Sequence, residues 1–278
     1  MRHSVEIDGG DGVTESIIAT REIRIEEAKE LTLFSDVFMT TVLKDKAACQ
    51  HILRTLTGIK TLVVIEVRPQ YRISNITSHD AILDVLAEDG EGHLLNLEIQ
   101  RLDTVDHARR TRFYASMIDS EYLQKGKMYN EMPDVHIIYI SLTDLWEVGK
   151  TVYHVKKSFD GTNVAYDDGV HIMYVNAAVD DGSDTAKLME YFKTADPEDM
   201  SQGDLSKRVH FLKLEKGGQD EMCEVSEKWY REGRMEQARD MAISLASMGL
   251  SVEKIAEAAK VSLETVQKWL AGNMNVAK

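Results

Sequence analysis

Two carboxylates, Asp84 and Glu98, lie on the two arms of a predicted β-hairpin. Its turn, Glu88–Gly92, contains Asp-Gly between apolar runs, which is a strong short-range hairpin signal. When the hairpin is folded about this turn, Asp84 stands opposite position 97 or 98. In the register that matches Asp84 with Glu98, the two carboxylates share a face with their Cβ atoms roughly 5 Å apart. Two half-buried like charges then need a basic partner, a shared proton or a divalent cation.

Oxygen ligands of this kind suit Mg2+ or Mn2+, which proteins bind through one or two carboxylates together with water and phosphate. The spacing therefore predicts a metal site for phosphodiester hydrolysis. A second interpretation is a hairpin whose carboxylates accept hydrogen bonds from loop amides. Spacing alone does not separate the two interpretations, since a register slip of one residue would part the carboxylates.

The strands that carry the two acids have different patterns. The first arm, Ala81–Ala87, is apolar on both faces except at Asp84, which predicts an interior strand. Asp80 shares a face with Asp84 on an alternating strand, so it is a competing candidate ligand. The second arm alternates with the period of a half-buried strand. Its apolar and polar sets are Leu95, Leu97 and Ile99 against Asn96, Glu98 and Gln100.

The order Asp84, then Glu98-Ile99-Gln100, resembles the split motif of the PD-(D/E)XK nucleases. More specifically, it is similar to the branch of transposases or recombination-promoting nucleases. No single motif is specific, and the combination over roughly Leu31 to Leu142 carries the resemblance. The further matches are the opening helix at Leu33–Phe38, the later helix at Arg110–Tyr114 and Leu123–Tyr129, and the following strand at Val135–Ile140.

The resemblance implies an α/β fold, with a restriction-endonuclease-like mixed β-sheet flanked by helices. It also implies a DNA endonuclease that depends on Mg2+ (or Mn2+) and acts in transposition or recombination. Asp84 and Glu98 would hold the metal, with the Ile99 carbonyl as a candidate further ligand. Gln100 stands where the general motif has Lys, as is usual in this branch, and would orient the attacking water or the phosphate by hydrogen bonding.

Four arginines lie on or just before the predicted helix Asp103–Gln124, namely Arg101, Arg109, Arg110 and Arg112. One interpretation is a solvated face, because acidic residues are interleaved with the arginines. The other is phosphate contact beside the carboxylates, for which bidentate arginine is well suited. Because the helix directly follows the Glu98 strand, we favour the second interpretation for Arg110 and Arg112.

Asp36 lies near the start of a predicted helix, Asp36–Leu56, that is followed by Gly58. A carboxylate at this place favours the helix dipole without any function. The functional alternative is a third acid near the metal, and we favour the dipole interpretation.

The predicted organisation is a polar lead-in at 1–30, a nuclease-like domain at 31–217 and a helical region at 218–278, with the boundary at Gly217-Gly218. Residues 251–271 resemble a helix-turn-helix, although Lys260 replaces the usual turn glycine. If the second helix reads DNA, its exposed candidates are Glu264, Thr265, Gln267 and Lys268. The alternative is a helical hairpin that packs on the core or on another subunit of a homo-oligomer.

The net charge of −14 argues against a broad, nonspecific nucleic-acid surface. It does not exclude a nuclease, because a metal and a local basic patch act without global positive charge. Two distant cysteines fit a reducing cytoplasm. We expect neither a secretion signal nor a membrane span, since no apolar run reaches the necessary length.

Two other functions compete with the nuclease interpretation of these residues. The first is a catalytically weak or inactive nuclease-like protein that acts as a DNA-binding or regulatory module through its C-terminal helices, which the missing Lys at Gln100 supports. The second is an oligomeric scaffold built on the predicted helix after Gly218, which only the absence of a basic surface supports.

Overall fold

The computed structural model describes residues 21–74, 79–101, 106–123 and 125–274. Within these ranges the strands form one sheet in the order β1-β2-β3-β4-β6-β5. They are β1 (Val64–Ile73), β2 (Ala81–Asp89), β3 (Leu94–Gln100), β4 (Val135–Ser141), β5 (Val152–His154) and β6 (Val170–Asn176). The pairs β3–β4 and β4–β6 are parallel and the other neighbouring pairs are antiparallel, so the sheet is mixed as predicted.

Helices account for most of the remaining described chain. The α-helices of the described ranges are, in chain order, α1 (residues 21–29), α2 (Asp36–Val42), α3 (Lys46–Thr57), α4 (His107–Tyr122), α5 (Asp184–Thr194), α6 (Gly203–Leu214), α7 (Lys216–Ser247), α8 (Val252–Ala259) and α9 (Leu263–Met274). Helix α4 is shorter than the predicted Asp103–Gln124, of which residues 103–105 and 124 lie outside the described residues. None of the described helices is both long and apolar enough to cross a membrane.

Two apolar clusters pack on the sheet. The larger one joins α2, α3, α5 and α6 to one face, where Leu95, Leu97 and Ile99 of β3 are buried. The smaller one joins α4 to Leu86 and Leu94 through Tyr114, Met117 and Ile118. The predicted arrangement of a mixed sheet flanked by helices is therefore confirmed.

The β2–β3 hairpin has the register in which Asp84 faces Glu98, because Val85 pairs with Leu97 immediately before them. In the turn, the buried Asp89 carboxylate accepts hydrogen bonds from the backbone N–H groups of Glu91 and His93. β2 lies inside the sheet as predicted.

The prediction that β3 is half-buried is wrong, because six of its seven residues are buried. Helix α4 contributes the cluster that covers the polar face of β3, which consists of Asn96, Glu98 and Gln100. An alternating pattern therefore marks a polar layer inside the protein here and not a solvent-facing surface.

The predicted single helix from Asp36 to Leu56 is also wrong, because the structure divides it into α2 and α3. Asp45 is the N-cap of α3, and its carboxylate accepts a 2.9 Å hydrogen bond from the Ala48 N–H. Such a cap satisfies a free donor of the first helical turn and favours a helix start at this residue. Gly58 ends α3 with a φ of 74°, as predicted.

The chain divides into two compact units, one ending at Met222 and one beginning at Cys223. The predicted boundary, Gly217-Gly218, lies in the first turn of α7. Ala28 of the predicted lead-in is buried in the larger cluster of the first unit, and residues 1–20 lie outside the described residues.

The second unit has its own small apolar cluster, centred on Ala242, Ile255, Ala256 and Val266. Helix α8 ends at Lys260, whose φ of 54° is the left-handed conformation usually taken by glycine. Ser262 then accepts a hydrogen bond from the Thr265 N–H at the start of α9. The turn between α8 and α9 thus contains a left-handed non-glycine residue and a serine that caps α9.

Replacing Lys260 by Gly should stabilise these helices, because the left-handed conformation costs a residue with a Cβ roughly 1–2 kcal/mol. Glycine loses more conformational freedom on folding, so we expect a net gain of about 0.5–1 kcal/mol. Hydrogen exchange of the α8 and α9 amides should slow by roughly 2- to 5-fold. Lys260→Ala is the control, since it removes the charge and keeps the Cβ; equal protection in both variants would contradict the strain argument.

Candidate active site

Each of the two acids in the hairpin accepts a hydrogen bond from the strand that carries the other acid. Beyond the Val85–Leu97 pair the backbone pairing between β2 and β3 stops, and hydrogen bonds from side chains replace it. Glu98 Oε1 accepts a 3.2 Å hydrogen bond from the Asp84 N–H, and Asp84 Oδ2 accepts a 2.9 Å bond from the Ile99 N–H. Each carboxylate is thus held against the opposite strand. The amide groups that the carboxylates bind belong to the strands, whereas the second interpretation from the sequence placed them in a loop.

The neighbouring strand β1 is irregular at the same level. Its register places Gln70 opposite Asp84, and Gln70 has a φ of 50°. Leu83 packs in the cluster under α4, whereas Val85 packs in the cluster on the other side of the sheet. Since residues i and i+2 of a regular strand share a face, the alternation of β2 is interrupted at Asp84. The Gln70 side chain also donates a hydrogen bond to the Asp84 carboxylate.

Burial sets the protonation of the pair. Glu98 is only 4% exposed. Burial raises the pKa of Glu98 to about 8, and the nearby Asp84 charge adds to the effect. Burial also raises the pKa of Asp84 to about 6, against the lowering effect of the Ile99 hydrogen bond. Without a cation, the pair therefore tends to retain a proton near neutral pH, as expected for two adjacent carboxylates in a low-dielectric site.

Arg110 brings a positive charge to this pair from α4. Its Nη1 donates a 2.7 Å hydrogen bond to Gln100 Oε1, and its Nη2 donates a 2.9 Å bond to the Tyr114 hydroxyl. The Arg110 charge lowers the pKa of both Asp84 and Glu98. A cation therefore lies beside Gln100, at the motif position where a Lys is absent.

The other predicted contacts are placed differently. Arg112 is exposed and lies about 200° around α4 from Arg110, so the two side chains leave the helix in nearly opposite directions. Lys268 belongs to the second unit and forms an exposed 2.8 Å ion pair with Glu264. The structure thus brings Asp84, Glu98, Gln100 and Arg110 together, and it does not bring Arg112 to them.

Two further acids were considered from the sequence. Asp36 is the first residue of α2, and its charge raises the pKa of Asp84, so it lies within electrostatic range of the pair. Asp80 precedes β2 and forms a 3.2 Å ion pair with Arg72 of β1. This ion pair with Arg72 distinguishes Asp80 from Asp84 and Glu98, which accept hydrogen bonds from backbone amides.

Sequence reasoning missed three neighbours of the pair, Gln70, Asn96 and Tyr139. Asn96 is fully buried on the polar face of β3, next to Glu98, and its side chain lowers the pKa of that acid against the effect of burial. Tyr139 of β4 is the register partner of Glu98. The alternation of Asn96 with Glu98 was a usable signal for Asn96. No local signal gives the position of Tyr139, since it depends on pairing between distant strands.

The donor set fits a hydrated divalent cation and does not fit a closed metal cage. Among the described residues, no three His, Cys, Asp or Glu side chains are grouped to hold a metal. Mg2+ needs only one or two carboxylates and completes its shell with water and phosphate. The Ile99 N–H points to Asp84, and the carbonyl of the same strand residue points to the same side. Asp84, Glu98 and the Ile99 carbonyl could therefore hold Mg2+ or Mn2+.

A comparison with protein families gives a match over residues 34–248 to the family described as PD-(D/E)XK nuclease family transposase. This range contains Asp84, Glu98, Gln100 and Arg110 and ends before α8. The match confirms the resemblance inferred from the motif. Searches of curated proteins and of solved structures found no significant match.

The raised pKa of Glu98 predicts how stability depends on pH in the presence of a chelator. The folded state keeps a proton that the unfolded chain releases near pH 4, so stability is lost as pH rises through the folded pKa of about 8. Glu98→Gln mimics the protonated acid and should remove this loss. Because each pKa unit is about 1.4 kcal/mol, we expect the variant to exceed wild type by at least about 1 kcal/mol at pH 8.

Urea denaturation at pH 5 and pH 8 measures this difference. Glu91→Gln is the matched control, because Glu91 lies exposed in the hairpin turn. It should leave the pH dependence unchanged. Parallel pH profiles for wild type and Glu98→Gln would show that Glu98 is already ionised in the folded protein.

Proposed function

The chain belongs to the PD-(D/E)XK nuclease family of transposases, and from this premise we propose that it is a metal-dependent DNA endonuclease acting in transposition or recombination. The observation that carries the proposal is the crossed pair of Asp84 and Glu98 with the Arg110–Gln100 contact beside it. DNA is the partner of the site, and phosphodiester hydrolysis is the reaction.

Asp84 and Glu98 are the proposed metal ligands. A bound Mg2+ or Mn2+ ion would polarise the scissile phosphate and lower the pKa of the attacking water. Ligation requires both carboxylates to be ionised, so metal binding must release the proton that the buried pair retains. The backbone N–H groups of Asp84 and Ile99 keep the two carboxylates aimed at the same space before the ion arrives.

Gln100 and Arg110 together take the role that Lys has in the general motif. Because Gln100 Oε1 accepts from Arg110, the Gln100 amide group is fixed and its Nε2 is the donor for water or a phosphate oxygen. Guanidinium has five N–H donors, of which Gln100 and Tyr114 engage two. Arg110 can therefore contact a phosphate without releasing Gln100.

The C-terminal helices carry the second part of the proposal, a DNA contact through α9. Gln267 and Lys268 are exposed there, and Lys268 would have to exchange its Glu264 ion pair for a phosphate. A second candidate function is a nuclease-like protein that binds DNA through these helices without turnover. The observation in its favour is Gln100 in place of the motif Lys.

Nicking of supercoiled plasmid tests the nuclease proposal. Wild type should nick DNA with Mg2+ or Mn2+, and EDTA should stop the reaction. Glu98→Ala should lower the rate by at least about 100-fold, because the ion loses one of its two carboxylates. In calorimetric titration, Asp84→Ala should lose the Mn2+ binding of wild type.

Two other results would contradict parts of this proposal. Mn2+ binding that Asp84→Ala leaves intact would exclude this pair as the metal site. DNA binding without nicking in wild type would favour the binding function, and Gln100→Lys would then be the first variant to test for restored cleavage.

The positive charge of Arg110 should matter for turnover. Arg110→Met should lower kcat by roughly 10²- to 10³-fold, the usual effect of removing one preorganised donor from a transition state. In the Arg110→Met background, Gln100→Lys should recover part of the lost kcat, since it returns a cation to the motif. If the second change recovers nothing, Arg110 acts through the position of its guanidinium and not through its charge alone.

Arg112→Met is the comparison on the same helix. As a phosphate contact away from the metal, Arg112 should affect KM and the salt dependence of binding, with kcat unchanged. A fall in kcat equal to that of Arg110→Met would contradict the separate placement of the two arginines.

A further inference from the structure

A row of tyrosines crosses the sheet, beginning beside the acid pair. Glu98 of β3 pairs with Tyr139 of β4, Tyr139 pairs with Tyr174 of β6, and Tyr174 pairs with Tyr153 of β5. We call Tyr139, Tyr174 and Tyr153 the tyrosine row. Directly paired residues on neighbouring strands share a face, so the row extends from Glu98 to the edge strand of the sheet.

An exposed tryptophan lies over the outer end of this row. The Trp146 ring centroid is 4.6 Å from that of Tyr174, 5.2 Å from that of Tyr153 and 5.1 Å from that of His107. Trp146 nevertheless remains 40% exposed. Part of this residue is therefore accessible to a ligand.

The loop that carries Trp146 holds it in a defined position. The Asp144 carboxylate accepts hydrogen bonds from the Trp146 N–H at 3.3 Å, from the Gly149 N–H at 2.7 Å and from the Tyr153 hydroxyl at 2.6 Å. These bonds connect the loop to the edge strand. Because these bonds fix the backbone that carries Trp146, less loop entropy is lost when a ligand binds there.

Helix α4 connects this ring to the acid pair. His107 packs edge-on against Trp146, and Arg110, one turn later on the same helix, bonds Gln100. Trp146 packs on Tyr174, two strands from Glu98, which corresponds to roughly 10 Å at the usual spacing between strands. A nucleic-acid strand with a phosphate at Arg110 would thus have a nearby base within reach of Trp146.

We propose that Trp146, with His107, is a stacking subsite for an unpaired nucleobase. This proposal rests on the proposed nuclease function. It implies that the substrate is a DNA with unpaired nucleotides next to the cleaved phosphate, such as a single-stranded end or gap. Aromatic side chains bind unpaired bases of any sequence through their π-faces. Bases of an intact duplex are already stacked on each other, and exposing one costs unstacking energy.

Binding measured without cleavage tests the subsite. The full chain carrying Glu98→Gln is titrated, in EDTA, with a single-stranded oligothymidylate and with a blunt duplex of equal length. Trp146→Ala should weaken single-strand binding by roughly 5- to 100-fold, as expected for one lost base–aromatic stack, and change duplex binding less than about 2-fold. Trp146→Phe keeps a ring and should retain most of the affinity.

Phe159→Ala is the matched control, because Phe159 is 53% exposed and packs edge-on against Tyr166 outside the tyrosine row. It should leave both affinities unchanged. Tryptophan fluorescence gives a second readout that does not depend on the alanine variant folding. The oligothymidylate should quench wild-type emission, and Trp146→Phe should abolish that quenching although Trp229 and Trp269 remain.

The outcomes separate the subsite from the nuclease. Equal losses on single strand and duplex, or quenching that persists in Trp146→Phe, would overturn the subsite even if plasmid nicking succeeds. Selective loss on the single strand would support it even if no nicking is found. Absence of single-strand binding by the full chain would also overturn the subsite, whereas plasmid nicking with metal tests the nuclease proposal independently.

Discussion

Two like charges held inside the protein are the constraint on which the site depends. The hairpin brings Asp84 and Glu98 to the point where its backbone ladder stops, and each acid takes over an amide of the opposite strand. These bonds position the carboxylates without neutralising them. The site must therefore contain a proton, a cation or the Arg110 guanidinium to remain stable, and the same requirement makes it suitable for a metal and a phosphate.

Helix α4 has two roles that are usually considered separately. It covers the polar face of β3 and so raises the pKa of Glu98 by burial, and it supplies the guanidinium that opposes this effect. Arg110 reaches Gln100, so a strand residue and a helix residue together occupy the place of one motif Lys. The position of the positive charge thus depends on how α4 packs, and not only on the motif.

The parts of the site that are local in sequence could be predicted from it. The Asp-Gly turn and the spacing of the acids limited the partner of Asp84 to position 97 or 98, and the structure selects Glu98. The contacts that depend on distant pairing were not accessible, because neither the left-handed Gln70 nor the alignment of Tyr139 with Glu98 leaves a local pattern. The alternation along β3 predicts a half-exposed strand, because a helix over its polar face has no signature in the strand itself.

The mixed topology of the sheet also sets an order of events. The hairpin pairs residues close in sequence, whereas β3 must pair in parallel with β4 across the whole of α4. Loops that close over many residues form later and more slowly than hairpins. By this principle the hairpin with its acid pair forms before α4 packs over it. The Arg110–Gln100 contact is therefore among the last parts of the candidate site to form, because it needs the long-range pairing of β3 with β4.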